Sequence, residues 1–483
     1  MLIDPDYQLV LKITVAVYAI AILAYSAYFY IRVRTYDGYN MGGRQIPLIP
    51  MVLTIVGTGV GGATLLGFMT DAYKLGAGRI WLVLPLTISV IILNLFFLKR
   101  LRRLGEKHTL YTVGDYAAVR YGPFARYPAL IGNICAMAAL TGLQFVAIAT
   151  VLNLLFGIDR SVGIVIGFVF LTLKSYLGGL TAVIWTDAIQ GTIQTVGILA
   201  LCVVVYIASG GWDAIHANAV EQGQQAMLSI VGVGPAEIFI PLLTIGMAVL
   251  VRQDKWQRIW AARDIKTTVR AYWCSVGLVL ITGGSIVAIG TMANLGLGLS
   301  PDNPALIYYQ VIQATLPPAF FILMLVVLIA TILSCGDSFL IAGSTTLVSD
   351  LVRTRVGDAS DHKMLRYSRL SVIAMGVMSL GLAMAVPRLV DLWVTGSAIL
   401  ASGITVPVLA GIYWSRPDDR AGVASMWTGL VVAIVWQVAG HPLGLHPVFV
   451  GLPACIFVFV VLAFRPRPIA SGVAYRQAAR PSS

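Results

Sequence analysis

The chain has 483 residues, of which 58% are hydrophobic and only 11% are charged. Because soluble proteins carry about a quarter charged residues, this composition excludes a soluble protein and predicts an integral membrane protein. The formal net charge is +12, but the basic residues lie in short loops between apolar segments. The positive-inside rule explains that distribution better than a nucleic-acid partner does.

The apolar segments predict about thirteen membrane-spanning helices, since each span needs about 20 mainly apolar residues. The first segment is long enough to span and has no basic region before it, so we expect no cleavable signal peptide. Lys174 and Asp187 interrupt the fifth and sixth segments, which leaves open whether these two fuse or shift. The segments lie near residues 9–31, 46–69, 80–98, 128–156, 160–178, 184–208, 237–257, 270–292, 318–342, 366–386, 391–415, 422–439 and 447–464.

The loops between these segments alternate in charge. Lys and Arg follow the first, third, seventh, ninth, eleventh and last segments, whereas residues 209–237 and 294–318 contain neither. Such alternation predicts an odd number of spans in the plasma membrane, with the N-terminus outside and the C-terminus in the cytoplasm. Residues 1–465 then form a single membrane domain, and residues 466–483 form a short polar tail in the cytoplasm.

The second segment is rich in glycine, with five glycines in eleven residues from Gly57 to Gly67. Glycine costs about 1 kcal/mol relative to alanine inside a helix. The run indicates either close helix packing through small residues or an unwound helix whose free carbonyls bind a cation near the midplane. An inverted repeat would place a matching break in the seventh segment, at residues 243–247 followed by Arg252. The two repeats would then cover residues 46–208 and 237–415.

The ninth segment carries a polar run, Ser334 to Ser338, inside an otherwise apolar stretch. A carboxylate at bilayer depth costs about 3 kcal/mol by insertion scales, so Asp337 should face the bundle interior, an ion or water. The run therefore predicts a functional site. The alternative is structural: Asp337 pairs with a lysine or arginine across the bundle, and Asp187 caps a helix or pairs with Lys174.

Residue pairs typical of enzymes are missing from the sequence. The five cysteines have no paired spacing, and the histidines fall in loops without the spacing of metal ligands. Neither a nucleophile–base pair nor a metal motif can be recognised. We therefore predict a protein that is not an enzyme and has no organic cofactor.

Five motifs between residues 57 and 422 closely resemble those of the sodium:solute symporter family. They are GGLTAVIWTDAIQG at residues 178–191, YTVGDY at 111–116, WQR at 256–258, SCGDS at 334–338 and GIYW at 411–414. The resemblance implies an all-helical transporter of two inverted five-helix repeats, with discontinuous helices 2 and 7. It also implies sodium-coupled uptake of a small organic solute by alternating access, with the protein working as a monomer.

In that family one sodium ion sits between the broken second helix and the ninth helix. Carried over by position, its ligands would be the carbonyls of Gly57, Val60 and Thr331 and the hydroxyl of Ser334. The family usually has Ser or Thr at the next position, where this chain has Cys335. Because a hard cation prefers oxygen, a thiol there weakens the site or leaves it one ligand short.

Some members of the family hold a second sodium ion, and the matching positions here are Asp187, Ser334, Asp337 and Ser338. Two acids close together in a low dielectric repel each other, which either a sodium ion or a proton would relieve. Gly59 is a further departure, because the proline-transporting branch has an aspartate at that place.

Four polar residues on spans near the central cavity are candidates for solute binding: Thr64, Asn133, Thr141 and Gln144. Taken singly, each is equally explained as a hydrogen-bonding contact between helices. The sequence does not identify the solute. Two alternatives to sodium-coupled symport stay open, namely a proton-coupled or sodium-independent transporter of the same fold and a membrane sensor that binds solute without transport.

Overall fold

The chain folds into helices, because in lipid every backbone polar group must find a partner within the protein. The computed structural model describes residues 5–357, 359–385 and 389–465, and these contain no β-strand and one isolated β-bridge, between Ile46 and Ala262. The all-α membrane fold is therefore confirmed. The predicted tail, residues 466–483, lies outside the described residues.

The first half of the chain begins with α1 and ends with α10. The helices are α1 Pro5–Arg32, α2 Tyr36–Met41, α3 Leu48–Gly59, α4 Gly62–Leu75, α5 Leu84–Ile92, α6 Leu98–His108, α7 Val113–Tyr121, α8 Arg126–Phe156, α9 Arg160–Ala208 and α10 Gly211–Glu221. A π-helical segment, Leu93–Phe97, joins α5 to α6.

The second half contains twelve further α-helices. They are α11 Pro235–Pro241, α12 Met247–Val251, α13 Gln253–Ala261, α14 Ile265–Leu295, α15 Ile307–Thr315, α16 Pro318–Leu347, α17 Thr354–Val356, α18 Asp361–Ala385, α19 Leu389–Leu400, α20 Val406–Tyr413, α21 Asp419–Val438 and α22 Val448–Ala463. Three π-helical segments, Leu242–Gly246, Val348–Arg353 and Ala401–Thr405, continue α11 into α12, α16 into α17 and α19 into α20.

Ten helices among the described residues are long and apolar enough to cross a membrane. Two more, α3 and α22, are apolar but shorter. The predicted number of thirteen membrane helices is therefore not confirmed and stays a prediction.

The longest helix, α9, is interrupted at Gly179, whose backbone has φ 60° and ψ −169°. Lys174 and Asp187 are thirteen residues apart, which is about 20 Å along a straight helix. Yet Lys174 contacts Asp337 and Asp187 contacts Ser338, two adjacent residues of α16. The chain therefore bends sharply at Gly179, and both parts of α9 contact the same stretch of α16.

The glycine-rich segment is broken as predicted, between α3 and α4. Val60 has φ −123° and ψ 86°, and Gly61 has φ −84° and ψ 170°, so neither residue is helical. Helical geometry resumes at Gly62. The interruption leaves backbone carbonyls of α3 without partners in their own helix.

The second discontinuity was expected at residues 243–247, where the structure has the π-helical segment Leu242–Gly246, but the chain departs from helical geometry only six residues after Gly246. The chain leaves the helix at Arg252, with φ −74° and ψ 131°, and α13 begins at Gln253. The first amide of α13 bonds to a side chain of α8: the Gln253 N–H donates to Asn133 Oδ1 over 2.9 Å. Gly246 instead allows a close approach, since a Cβ there would lie 3.3 Å from Ser89 Oγ and 3.4 Å from Pro85 Cβ.

The loops separate onto two sides of the helix bundle. On the side we call the basic side, three arginines reach main-chain oxygens of neighbouring loops, in the pairs Arg44–Leu110, Arg102–Trp260 and Arg120–Trp414. On the opposite side, Tyr73 donates to the Leu299 carbonyl and Asn218 to the Leu295 carbonyl. The grouping follows the predicted alternation of loops, while the orientation in the membrane stays a prediction.

The bridge between Ile46 and Ala262 joins the segment before α3 to the end of α13. The Ile46 N–H donates to the Ala261 carbonyl over 3.2 Å, and the Arg263 N–H donates to the Ile46 carbonyl over 3.1 Å. The two discontinuous helices are thus connected by backbone hydrogen bonds on the basic side.

Replacing Gly179 by alanine should destabilise the protein by roughly 2 kcal/mol or more, because the backbone conformation there is open only to glycine. A Cβ would also lie 2.6 Å from Tyr39 Cδ2 and 2.8 Å from the Tyr39 carbonyl. Thermal unfolding of the purified protein in detergent measures the effect. The matched control is Gly157→Ala, at φ 66° with no atom within 4 Å, for which we expect a loss of about 1 kcal/mol. Equal losses of stability in Gly179→Ala and Gly157→Ala would show that crowding against Tyr39 does not contribute.

Candidate functional site

The break between α3 and α4 is held by side chains from two other helices. The side-chain amide of Gln194, on α9, donates to the Val60 carbonyl. The thiol of Cys335, on α16, lies 2.9 Å from the Gly57 carbonyl oxygen and donates to it. Both freed carbonyls therefore find partners inside the protein, as the absence of water in a bilayer core requires.

The glycines of the break allow α16 to approach closely. A Cβ on Gly57 would lie 2.7 Å from Ser334 Oγ, and a Cβ on Gly61 would lie 2.6 Å from Cys335 Sγ. A side chain at either place would push the two helices apart. Close packing and a broken helix thus occur together at this site, while cation binding by the freed carbonyls stays a prediction.

Four of the five residues predicted for the first sodium site come together here, namely Gly57, Val60, Ser334 and Cys335. The Ser334 hydroxyl donates its proton to Asp187 Oδ1 over 2.6 Å, which leaves its lone pairs free to face a cation. Thr331 lies one turn earlier on α16, and its buried hydroxyl donates to the Val327 carbonyl over 2.6 Å. Carbonyl and hydroxyl oxygens are ligands suited to a hard cation.

Asp187 lies at the centre of a fully buried polar cluster. Besides Ser334, its carboxylate accepts hydrogen bonds from the hydroxyls of Thr54 over 2.6 Å and Ser338 over 3.1 Å. These donors come from α3 and α16, so the acid of α9 fastens three helices together. Asp187 lies inside α9, eight residues after the interruption at Gly179, so it does not cap the start of a helix.

Arg258, on α13, completes this cluster and was given no role in the sequence analysis. Its Nη2 atom lies 3.6 Å from Asp187 Oδ2, and both side chains are fully buried. The guanidinium also donates to the hydroxyls of Thr54, Thr58 and Ser338. No local signal marks it, because Arg258 stands in the polar run RQDKWQR at residues 252–258 and looks like one more basic residue of a loop.

Asp337 has a different cation. Its carboxylate pairs with the Lys174 ammonium, and the Ser175 hydroxyl donates to it over 3.1 Å. Lys174 thus pairs with Asp337 and not with Asp187, as one alternative proposed. Each acid of the predicted second cation site therefore has its own protein cation, and the structural reading of Asp337 gains support.

The predicted solute-binding residues separate into two groups. Asn133 accepts the Gln253 amide and donates to the Ala129 carbonyl, so it holds the second helix break. Gln144 faces the first break, because a Cβ on Gly61 would lie 3.3 Å from its Nε2 atom. The Thr141 hydroxyl, one turn earlier on α8, is buried and has no hydrogen-bond partner in the described part of the chain. Thr64 lies in the first turn of α4 and is 7% exposed.

A cleft of about 660 Å³ opens over α4 and α8. Its lining includes Leu66 and Gly67, which follow the break at Gly61 by one to two helical turns. It also includes Asp71 and Lys74, which stand on either side of Tyr73 in the sequence. The cleft therefore opens on the side of the bundle opposite the basic side. Phe68 follows the lining residue Gly67, and Trp393 lies about one helical turn after the lining residue Val390. The two rings stack with their centres 5.5 Å apart and are almost fully buried. The cleft therefore lies along the helix that begins just after the break.

The family model described as the sodium:solute symporter family matches residues 39–429. Among curated proteins, the osmoregulated proline transporter OpuE of Bacillus subtilis (strain 168) is 23% identical over 437 residues, which cover 89% of each chain. The sodium/proline symporter of Escherichia coli (strain K12) is 23% identical over 438 residues, which cover 86% of each chain.

Solved structures show the same fold. A Na+-coupled sialic acid symporter in a substrate-bound outward-open state superposes with a TM-score of 0.78 at 20% identity, covering 94% of this chain and 97% of that one. The nucleobase-cation-symport-1 family transporter Mhp1, closed with bromovinylhydantoin bound, gives a TM-score of 0.59 at 14% identity, covering 88% and 92%. At these identities the likeness establishes the fold and leaves the solute open.

The ion pair of Lys174 and Asp337 should show strong coupling in a double-mutant cycle. We expect Lys174→Met and Asp337→Asn each to destabilise the protein by about 3–5 kcal/mol, because each leaves a buried charge without its partner. The double variant should lose clearly less than the sum of the two. Thermal unfolding in detergent measures all four proteins. Additive losses would show that the two groups do not form an ion pair.

Proposed function

The chain belongs to the sodium:solute symporter family, and from that premise we propose that it carries a small organic solute into the cell together with sodium by alternating access. The observation that carries the proposal is the contact of the broken helix with α16, where Gly57 lies against Ser334 and Cys335. The protein is not an enzyme; it is a multi-pass protein of the plasma membrane, and its transported partners are a small solute and sodium.

For the coupling ion we propose the first site, with the carbonyls of Gly57, Val60 and Thr331 and the hydroxyl of Ser334 as ligands. The Gly57 and Val60 carbonyls accept hydrogen bonds from Cys335 and Gln194, so a sodium ion would compete with these donors for the same oxygens. Binding would thereby exchange side-chain hydrogen bonds for ion contacts at the break. That exchange would fix the conformation of residues 60–61.

We propose that the solute binds at the same break, near Thr64, Thr141 and Gln144. Because the backbone of residues 60–61 would contribute to both binding sites, a conformation fixed by bound sodium should favour solute binding. Bound solute should favour sodium binding in the same way. Such coupling is reciprocal by thermodynamic necessity. One charge crossing 100 mV supplies about 2.3 kcal/mol, or roughly a 50-fold concentration ratio at 1.36 kcal/mol per decade.

We also propose the orientation in the membrane, the repeats and the oligomeric state. Loops rich in Lys and Arg share the basic side, which supports a cytoplasmic C-terminus and an N-terminus outside. The single domain, its repeats over residues 46–208 and 237–415, and a monomeric working unit follow from the family resemblance. A proton-coupled or sodium-independent transporter and a non-transporting sensor remain the alternatives, and the experiments below separate them.

Proteoliposomes with an imposed sodium gradient should accumulate one or a few solutes from a panel of sugars, amino acids, carboxylates and polyols. Accumulation should stop when sodium is replaced by potassium. We expect Ser334→Ala to raise the half-saturating sodium concentration severalfold, because it removes one oxygen ligand. Uptake that follows a proton gradient and ignores sodium would favour the proton-coupled alternative. Solute binding without accumulation would favour the sensor.

Replacing Cys335 by serine should lower the half-saturating sodium concentration severalfold. The substitution supplies an oxygen at a place where the thiol lies 2.9 Å from the Gly57 carbonyl, and oxygen is the better ligand for a hard cation. Sodium-dependent thermal stabilisation of the purified protein measures the affinity without a solute. Cys455→Ser is the matched control, since Cys455 is also buried and its thiol faces the Gly403 carbonyl. An unchanged affinity in Cys335→Ser would remove residue 335 from the site.

A further inference from the structure

We propose that the transported solute is an anion, a small carboxylate, whose charge lies beside the buried ammonium group of Lys255. The proposal rests on the proposed function, because it names the chemical class of the solute of the same transporter. Lys255 stands in the first turn of α13, directly before the WQR motif at residues 256–258 and outside all five motifs that resemble the family. The resemblance therefore gives this lysine no role.

The buried charges around the two helix breaks leave one cation in surplus. Four cations and three acids of the described chain lie there, each with an exposure of 3% or less. Three of the cations pair with the acids, namely Lys174 with Asp337, Arg252 with Asp254 and Arg258 with Asp187. Lys255 is the fourth cation. Burying such a charge is costly unless an opposite charge comes close to it.

Asp254 does not neutralise Lys255, although it is the neighbouring residue. Its carboxylate accepts two hydrogen bonds from the Arg252 guanidinium, over 2.5 and 2.9 Å. The Lys255 Nζ atom lies 3.8 Å from Asp254 Oδ2, which is beyond the range of a hydrogen bond. One carboxylate between two cations leaves a net positive charge. The N-terminus of α13, at Gln253, adds its partial positive charge at the same place.

The surroundings of Lys255 do not offset this charge. Its side chain lines a cavity of about 10 Å³ between α3, α5, α12 and α14, which has room for about one water molecule. Among the described residues that line the cavity none is acidic, and the polar ones besides Lys255 are Thr87 and Ser275. Gly59, the last residue of α3, also lines it. Lys255 therefore lies next to the first break.

An anionic solute would balance two positive charges at this break. Val60, a proposed sodium ligand, follows Gly59 in the chain. A sodium ion there and the Lys255 ammonium would repel each other, because like charges interact strongly in a low dielectric. A carboxylate close to both would offset the two charges. Sodium and an anionic solute would therefore each favour the binding of the other.

The first test compares carboxylates with their amides in the wild-type protein. Sodium-driven uptake into proteoliposomes is measured for propionate, lactate, pyruvate and nicotinate, each next to its amide, and for alanine, proline and glucose. We expect a carboxylate to accumulate and to compete at least about tenfold more strongly than its amide, because a site built around a buried charge rejects an analogue that leaves it unpaired.

The outcomes separate this proposal from the proposed function. Accumulation of neutral or zwitterionic compounds alone overturns the anionic solute and leaves sodium coupling intact, and this result does not depend on whether any variant folds. An amide that competes as well as its carboxylate also overturns it. Sodium-driven accumulation of no compound in the panel counts against the proposed function itself.

The second test removes the charge of Lys255. We expect Lys255→Met to raise the half-saturating concentration of the carboxylate at least about tenfold and to leave that of the amide within about twofold, while Lys255→Arg keeps the preference. Without solute, Lys255→Met should lower the half-saturating sodium concentration severalfold in thermal stabilisation, because the repulsion is gone. Lys363→Met, at an exposed lysine of α18, is the matched control and should change neither value. A folded Lys255→Met variant that still prefers the carboxylate to its amide would overturn the proposal.

Discussion

The structure depends on one constraint, namely that a helix opened at membrane depth must satisfy its freed carbonyls within the protein. Gln194 and Cys335 meet this demand at Val60 and Gly57. These donors belong to α9 and α16. The hydrogen bonds that satisfy the freed carbonyls therefore also hold the break against these two helices. The polar cluster around Asp187 is assembled by that placement.

Buried charges in this bundle act as fasteners between helices. Arg258 and Asp187 join α13 to α9, and the hydroxyls between them belong to α3 and α16. Breaking a buried ion pair costs far more than the intact pair contributes, so such contacts specify one arrangement of the helices. In a transporter that works by the proposed alternating access, charge pairs of this kind would keep the helices of each moving part together.

Much of the site could be predicted from the sequence, but its charge partners could not. Composition predicts the membrane class, and the glycine run predicts the break at Val60. The resemblance places Ser334 and Cys335 beside that break. Lys174 meets Asp337 across 163 residues, however, and no local pattern specifies a contact between such distant positions. The second discontinuity was misplaced for the same reason, since Asn133, on another helix, stabilises the start of α13.

The β-bridge at Ile46 has a mechanical consequence. Two main-chain hydrogen bonds join the entrance of one interrupted helix to the exit of the other, and such bonds cannot be lost by a change of side-chain rotamer. A torque applied to either helix at this end is therefore passed to its neighbour. In the proposed alternating access the two helices would therefore move together on the basic side and not one after the other.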